Sequence, residues 1–270
     1  MTGTSNDNAE EPLLGGFTNA GFVTRVGDSV RRPWRPTSPA TKVLLDHLER
    51  VGFDGAPRFL GADDQGREML SFIPGEAANE PFPAWAVTDE ALVGVAELLR
   101  RYHDAVASFD PAGLDWPVPV PAGFGGGIVS HNDPNVDNVV FDGGRPVALI
   151  DFDLACPGSA TWDVACAARL WAPLRDEADM PERVRGRALE RLAMFVDAYG
   201  LPRRERARVV DAVLPAHEWS YDVVREAVAR GHVPFSRMWS GGGESRAERT
   251  RRWLASHDAP MRAALSAPAP

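Results

Sequence analysis

"SHNDPNVDNVVFDGGRPVALIDFD", residues 130–153, decides how this chain is read. It sets five aspartates and three asparagines around two apolar runs, Val139–Phe141 and Val147–Ile150. Buried strands ordinarily exclude such neighbours, because a charge taken out of water without a partner is costly. Asp142-Gly143-Gly144 between the runs is a hairpin turn, since glycine tolerates the positive φ such turns require. That turn sets Asp142 opposite Arg145 and Asn138 opposite Leu149, with Asp151 roughly 7 Å further along at strand rise. Asn138 and Asp151 then leave the open end of the hairpin together. Asp133 lies on the loop feeding it and Asp153 just beyond it. Oxygen donors on one spot, without Cys or several His, favour a hard cation such as Mg²⁺, which completes its shell with water and nucleotide phosphates. The plainer alternative, that these residues only cap turns, suits any one of them better than the set.

Working outward, residues 13–32 read as strand, Gly-rich turn and strand, with Gly27-Asp28 reversing the chain into Ser29-Val30-Arg31. A helix follows, with Ser38 as N-cap, Pro39 at its first position and Gly52 past its end. Strands near 58–61 and 67–72 flank the turn ADDQG. Pro74-Gly75 closes this unit, and the composition then turns helical. Thr88 caps a long helix reaching Phe109, whose Leu92, Val95, Leu98, Leu99 and Tyr102 recur at helical spacing. Further helices are expected at 160–172, 181–199, 203–213, 215–230 and 245–256. The expected organisation is a disordered N-terminus at 1–12, a nucleotide-binding lobe at 13–75, a catalytic and substrate-binding lobe at 76–262, and a frayed tail at 263–270. The architecture is α+β and two-lobed, sheet first and helix after.

The bulk numbers bound the function. A net charge of −9 over 270 residues argues against a nucleic-acid partner, which calls for a basic face. No apolar run reaches membrane-spanning length, and the polar N-terminus is neither signal nor transit peptide, so a soluble cytoplasmic protein is expected. Cys156 and Cys166 lack metal spacing and read as small core residues.

His131-Asn132-Asp133 followed by Asn138 matches the H-x-D-x-x-x-x-N spacing of kinase catalytic loops, and Asp151-Phe152-Asp153 stands where kinases carry D-F-G. With "PGSATWD" at 157–163, the chain resembles the aminoglycoside phosphotransferase family, relatives of choline and other small-molecule kinases, over residues 13–260. The resemblance implies a protein-kinase-like fold using ATP, or GTP in its place, with Mg²⁺. It makes Asp133 the catalytic base, Asn138 and Asp151 the metal holders, and His131 a structural tie. Asp163 either braces the catalytic loop through backbone amides or is an ordinary helix N-terminal Asp. Asp153, where glycine is usual, is either a second metal contact or a turn residue. Gly15, Gly16, Thr18, Asn19 and Gly21 would form the phosphate-covering turn. Arg31 stands where the ATP-gripping lysine belongs, with Arg31 or Arg32 supplying positive charge to the phosphates, and the helix offers Thr41 or Lys42 where its partner glutamate belongs. Backbone from Ser71 to Ile73 would meet the adenine.

Only nine residues separate Asp153 from Asp163, too few for a long activation segment, which points to a small-molecule acceptor. Glu218, Asp222 and Glu226 share one helical face. In the resembled family such acids receive amino-sugar ammonium groups; the alternative is a solvated charged face. Trp219 and Trp239 suit core or groove lining better than a cation cage. The reading is an ATP- and Mg²⁺-dependent O-phosphotransferase acting on a hydroxylated small molecule, cationic in the leading, aminoglycoside-like case. Its rivals are a kinase of an endogenous amino alcohol or sugar, and a non-catalytic ligand sensor.

Overall fold

Short antiparallel strands gather at the N-terminal end: β1 (Glu11–Pro12), β2 (Thr24–Val26), β3 (Ser29–Arg32), β4 (Phe59–Ala62) and β5 (Glu68–Ser71), in the order β1-β2-β3-β5-β4. They belong to a computed structural model that describes residues 9–13, 22–79 and 81–267. Gly27, in left-handed backbone at φ 57°, makes the turn that pairs β2 with β3. Because side chains alternate along a strand, Val30 and Arg32 share one face while Ser29 and Arg31 take the other. Val30 packs on the core, so Arg32 is carried inward with it. Helix α1 (Ser38–Arg50) enters the same core through Leu44, Leu45 and Leu48 and packs against β4. Its N-cap is Thr37; the Ser38 hydroxyl instead accepts from the Arg35 amide.

The chain leaves this sheet through Gly75, whose φ of +140° and close approach to Phe141 leave no space for a Cβ. Strand β6 (Glu76–Ala77) then joins β8 (Val139–Asp142) and β9 (Arg145–Leu149) in a second sheet. Between them run α2 (Asp89–Val106) and β7 (Ile128–Ser130). Thr88 caps α2 by accepting from the Ala91 amide, worth about 1 kcal/mol. β10 (Cys156–Gly158) pairs back onto β7. The rest is helical: α3 (Ala160–Trp171), α4 (Ala188–Tyr199), α5 (Arg203–Ala229), α6 (Val233–Met238), α7 (Glu244–Ser256) and α8 (Asp258–Ser266). The core runs through α2, α3, α4 and α5, where Trp162, Tyr102, Phe195 and several leucines are fully buried. This is the expected two-lobed, protein-kinase-like α+β fold. Among the described residues no helix is long and apolar enough to cross a membrane.

Several expected boundaries are corrected. Glu11-Pro12 is strand, not disordered, because it pairs with Thr24-Arg25 and Glu10 meets Arg67. The helix expected from 181 begins only at Ala188, because Gly186 takes left-handed backbone at φ 73°. The two helices expected at 203–213 and 215–230 are one, running through Pro215. Val209, Val213, Ala216 and Trp219 are buried on both sides of it. Their burial, at about 1.5–3 kcal/mol for each large side chain, offsets the roughly 3 kcal/mol a mid-helix proline costs. The tail is helical to Ser266, held by Met261 and Leu265, each 2% exposed or less.

Candidate active site

Site residues come from both ends of the β8–β9 hairpin, and its register differs from the simple expectation. Asp142 pairs with Arg145 and Phe141 with Pro146, but a bulge at Val147 then shifts the pairing, so Val140 meets Ala148 and Val139 meets Leu149. Asn138 therefore stands opposite Ile150, whose amide donates to the Asn138 carbonyl at 2.9 Å. The bulge brings Asn138 one residue nearer to Asp151 than a regular hairpin would. The Asn138 side-chain amide donates to the Asp133 carbonyl at 2.9 Å and to its carboxylate at 3.1 Å, leaving the amide oxygen for another partner.

Two non-glycine residues of the described chain have left-handed backbone, Asn132 at φ 68° and Asp151 at φ 60°. Such conformations persist where surrounding contacts enforce them, and they cluster at functional sites. Around Asn132 the enforcement is visible. Its side chain donates to the Leu154 carbonyl and accepts from the Trp162 indole, while its amide donates to Asp163. Asp163 sits near the start of α3, wholly buried, and accepts from the His131 amide at 2.7 Å and the Asn132 amide at 2.8 Å. His103 Nε2 lies 2.9 Å from the same carboxylate, with the Tyr199 hydroxyl on its other nitrogen. Burial works against the Asp163 charge, but the His103 hydrogen bond, the two histidines and these amides outweigh it and hold the carboxyl below its usual range. His131 Nε2 reaches the Ile150 carbonyl, tying the loop to β9.

Asp133 is treated in the opposite way. Burial pushes its carboxyl up to about 6; Asp137 adds to the rise, while Arg169 and the Asn138 amide oppose it. Asp151 is also raised, by burial foremost and Asp153 next, against the pull of Arg32. Its side chain keeps 24% exposure to the cleft. Asp133, Asp151 and Asp153 line one cleft of about 810 Å³ with Arg35, Arg169 and Tyr221. Among the described residues no three His, Cys, Asp or Glu side chains form a closed metal cluster. The donor set still fits a divalent cation bound chiefly through phosphates, since Asp133 and Asp151 both stay raised despite the arginines near them and the Asn138 amide oxygen beside them is open. Asn138 and Asp151 are the residues that could hold it. Asp153 is not open in the same way, because Arg32 and Arg35 grip it at 2.8 and 3.1 Å.

Of the two arginines expected to supply positive charge, Arg32 and not Arg31 reaches the site carboxylates. Arg31 takes the other face of β3, hydrogen-bonding Ser29 Oγ and lying 3.8 Å from Asp63. Arg32 is 6% exposed and pairs with Glu68, Asp151 and Asp153. Burial disfavours its charge, and these three carboxylates more than compensate, raising its pKa. Glu68, opposite Arg32 in the β3–β5 register, supplies from a strand the buried carboxylate absent from α1. There Thr41 is simply buried and Lys42 pairs with Asp46. Strand alternation was the signal available: Val30 marks the core face, and Arg32 shares it. Glu68 carried no local signal, because its partner lies across the sheet.

Of the expected adenine contacts, Ser71 is already committed, its amide to the Arg58 carbonyl and its hydroxyl to the Arg58 amide. Ile73 follows two residues later, half-buried beside exposed Pro74 and Gly75. Gly15, Gly16, Thr18, Asn19 and Gly21 lie outside the described residues. The acids on this face of α5 are half-buried or exposed, but paired: Glu218 meets Arg251 at 2.9 Å, Asp222 meets Arg225 at 2.6 Å, and Glu226, which lines the cleft, pairs with Arg230. Trp219 is core, donating to the Pro119 carbonyl and packing edge-on against Trp162. Trp239 packs at a tilt against Tyr221.

The chain is similar to known proteins in both sequence and fold. Residues 115–209 match the Phosphotransferase enzyme family. A trifolitoxin immunity protein of Rhizobium leguminosarum bv. trifolii is 34% identical over 271 residues, covering 96% of this chain and all of the relative. In fold, the chain is similar to a choline/ethanolamine kinase family protein from Mesorhizobium loti, with a TM-score of 0.63 at 17% identity, covering 96% and 92% of the two chains. It is also similar to the GDP complex of wild-type aminoglycoside 2'-phosphotransferase-IIIa, with a TM-score of 0.60 at 14% identity, covering 94% and 93%.

Proposed function

The chain belongs to the Phosphotransferase enzyme family, and from that premise we propose that it transfers the terminal phosphoryl group of ATP to a hydroxyl of a small molecule, with Mg²⁺. One observation carries the reading: Asp133 and Asp151 line one cleft, the Asn138 amide donates to Asp133, and Asp163 pins the backbone of the loop that carries Asp133. Asp133 faces the acceptor and, with its raised pKa, is suited to take the hydroxyl proton as the oxygen attacks. The new bond is from acceptor oxygen to phosphorus; the bond that breaks links phosphorus to the oxygen leaving with the nucleoside diphosphate. Asn138 and Asp151 would hold the metal, whose charge stabilises the phosphates when bound. Arg32 lends positive charge at the inner wall, and backbone at Ile73 meets the base. The acceptor class includes toxic small molecules, given the immunity role in the relative's name.

A non-catalytic sensor is the second reading. It is favoured by Arg32, which is occupied by three carboxylates rather than free for phosphate. The deciding measurement is ADP formation from ATP and Mg²⁺ over a panel of hydroxylated compounds. Acceptor-dependent ADP that disappears in Asp133→Ala supports transfer; nucleotide binding with no ADP from any acceptor supports the sensor.

A further inference from the structure

A second cavity of about 220 Å³ opens from the cleft, the two sharing Asn135, Arg169, Leu170, Tyr221 and Met238. Arg169, Arg175, Arg191 and Arg246 line it, and no Asp or Glu does. Arg191 is matched by Asp89. The other three guanidiniums form no ion pair among the described residues, and Arg169 Nε is buried without any hydrogen-bond partner. Burial foremost, then the neighbouring Arg169 and Arg246, pull the Arg175 pKa down, as expected of like charges confined together, and Tyr221 and Asp179 oppose them without reversing the direction. His217, the remaining titratable wall residue besides Tyr221, is held near 4 by burial and Arg169 and stays neutral. In a chain of net charge −9, such a grouping runs against the average field and costs self-repulsion. What relieves it is an anion, which guanidinium forks bind with charge-assisted hydrogen bonds. Phe82, Val87 and Leu174 make the remaining wall apolar.

We infer that this pocket is the acceptor's anion subsite: the molecule phosphorylated carries a carboxylate or phosphate received by Arg169, Arg175 and Arg246 while its hydroxyl meets Asp133. The inference rests on the phosphotransfer reading and narrows its substrate class. It turns the cationic expectation around. The acids of α5 are already matched by arginines, and a polycationic amino sugar would meet unmatched guanidiniums beside Asp133 as like charges.

The test is calorimetric titration of inorganic phosphate, and separately of malate, into the whole protein saturated with ADP and Mg²⁺, with ethanolamine as the cationic control. Saturation keeps phosphate out of the nucleotide site. Wild type binds at least one anion and not ethanolamine; the stronger of phosphate and malate identifies the acidic group. Arg175→Gln and Arg246→Gln each weaken that binding about tenfold or more, in line with the strength of hydrogen bonds to charged groups, and Arg175→Lys recovers part of it. Both Gln variants melt no lower than wild type, because they relieve repulsion rather than break a pair. Absence of anion binding to wild type, or unchanged affinity in both Gln variants, overturns the inference. So does a large drop in melting temperature, which would make these arginines structural. Failure of ADP to bind, while anions still respond to the Gln substitutions in nucleotide-free protein, would instead topple the phosphotransfer reading. The acceptor role would fall with it and leave a plain anion site.

Discussion

Asp163 and Asp133 are the same residue type, one wholly buried and the other half-buried at the cleft, and the fold moves their carboxyls in opposite directions. Asp163 is met by two backbone amides and a histidine, enough donors to make the ionised form the favoured one. Asp133 is met by one side-chain amide and the charge of Arg169, and its burial together with the negative charge of Asp137 outweighs both, so ionisation is resisted. The difference separates a group that holds the loop from a group held ready by it. A satisfied carboxylate has nothing left to offer a ligand. An under-satisfied one has both an incentive to take a proton and room to accept one.

The comparison is most sharply tested at Asp133. Asp133→Ala is expected to lower acceptor-dependent ADP formation by about 10²–10⁴-fold, the usual contribution of a positioned general base. Melting temperature should stay level or rise, since a poorly compensated charge is removed. A large fall in melting temperature would show that Asp133 supports the loop as Asp163 does.

Asp163→Asn should do the reverse, lowering unfolding free energy by about 3 kcal/mol in urea titrations, because buried amides lose a charged acceptor. Its effect has a pH signature. The folded pKa lies below the unfolded value of about 3.9, so the stabilisation is fully present above that value and is lost as pH falls through the folded pKa. The gap between Asp163→Asn and wild type should therefore be constant from neutral pH down to about 4 and close below it. A gap that instead closes between pH 5 and 7 would contradict a lowered pKa.

Gly75→Ala should cost about 1–3 kcal/mol, because φ of +140° strains an L residue and its Cβ would lie 2.5 Å from the Phe141 carbonyl oxygen. Urea unfolding monitored by tryptophan fluorescence would measure it. Smallest of all, Glu218→Gln and Asp222→Asn should each change stability by less than about 0.5 kcal/mol, as exposed pairs do, and leave acceptor KM unchanged. A raised KM for a cationic acceptor in either variant would restore the acidic face of α5 as a recognition surface.

The hairpin, its Gly-Gly turn and the polar residues at its mouth were legible because each rests on local chemistry: glycine at positive φ, alternation in a strand, oxygen donors in sequence proximity. Thr88 as the cap of α2 was legible for the same reason. The Val147 bulge was not, since no residue type announces a one-residue slip and the slip is settled by packing of both sheet faces. Nor was the choice of Arg32 over Arg31 drawn, although Val30 beside them marks the buried face. The acids of α5 shared a helical face as expected, but periodicity says nothing of Arg251 arriving from another helix. The continuity of α5 through Pro215 had to wait for the packing on both sides of it.

By itself the sequence determined the two-part layout, the family resemblance and the carboxylates and amide on which phosphotransfer would depend, because strand period, turn residues and motif spacing are short-range properties. Only the tertiary structure decided which of those groups carry compensated charge. Glu68 reaches Arg32 across a sheet, His103 reaches Asp163 from another helix, and three arginines from separate segments surround one cavity with no acid among them. Charge compensation depends on distance through space, and the chain brings those residues together only when it closes its core.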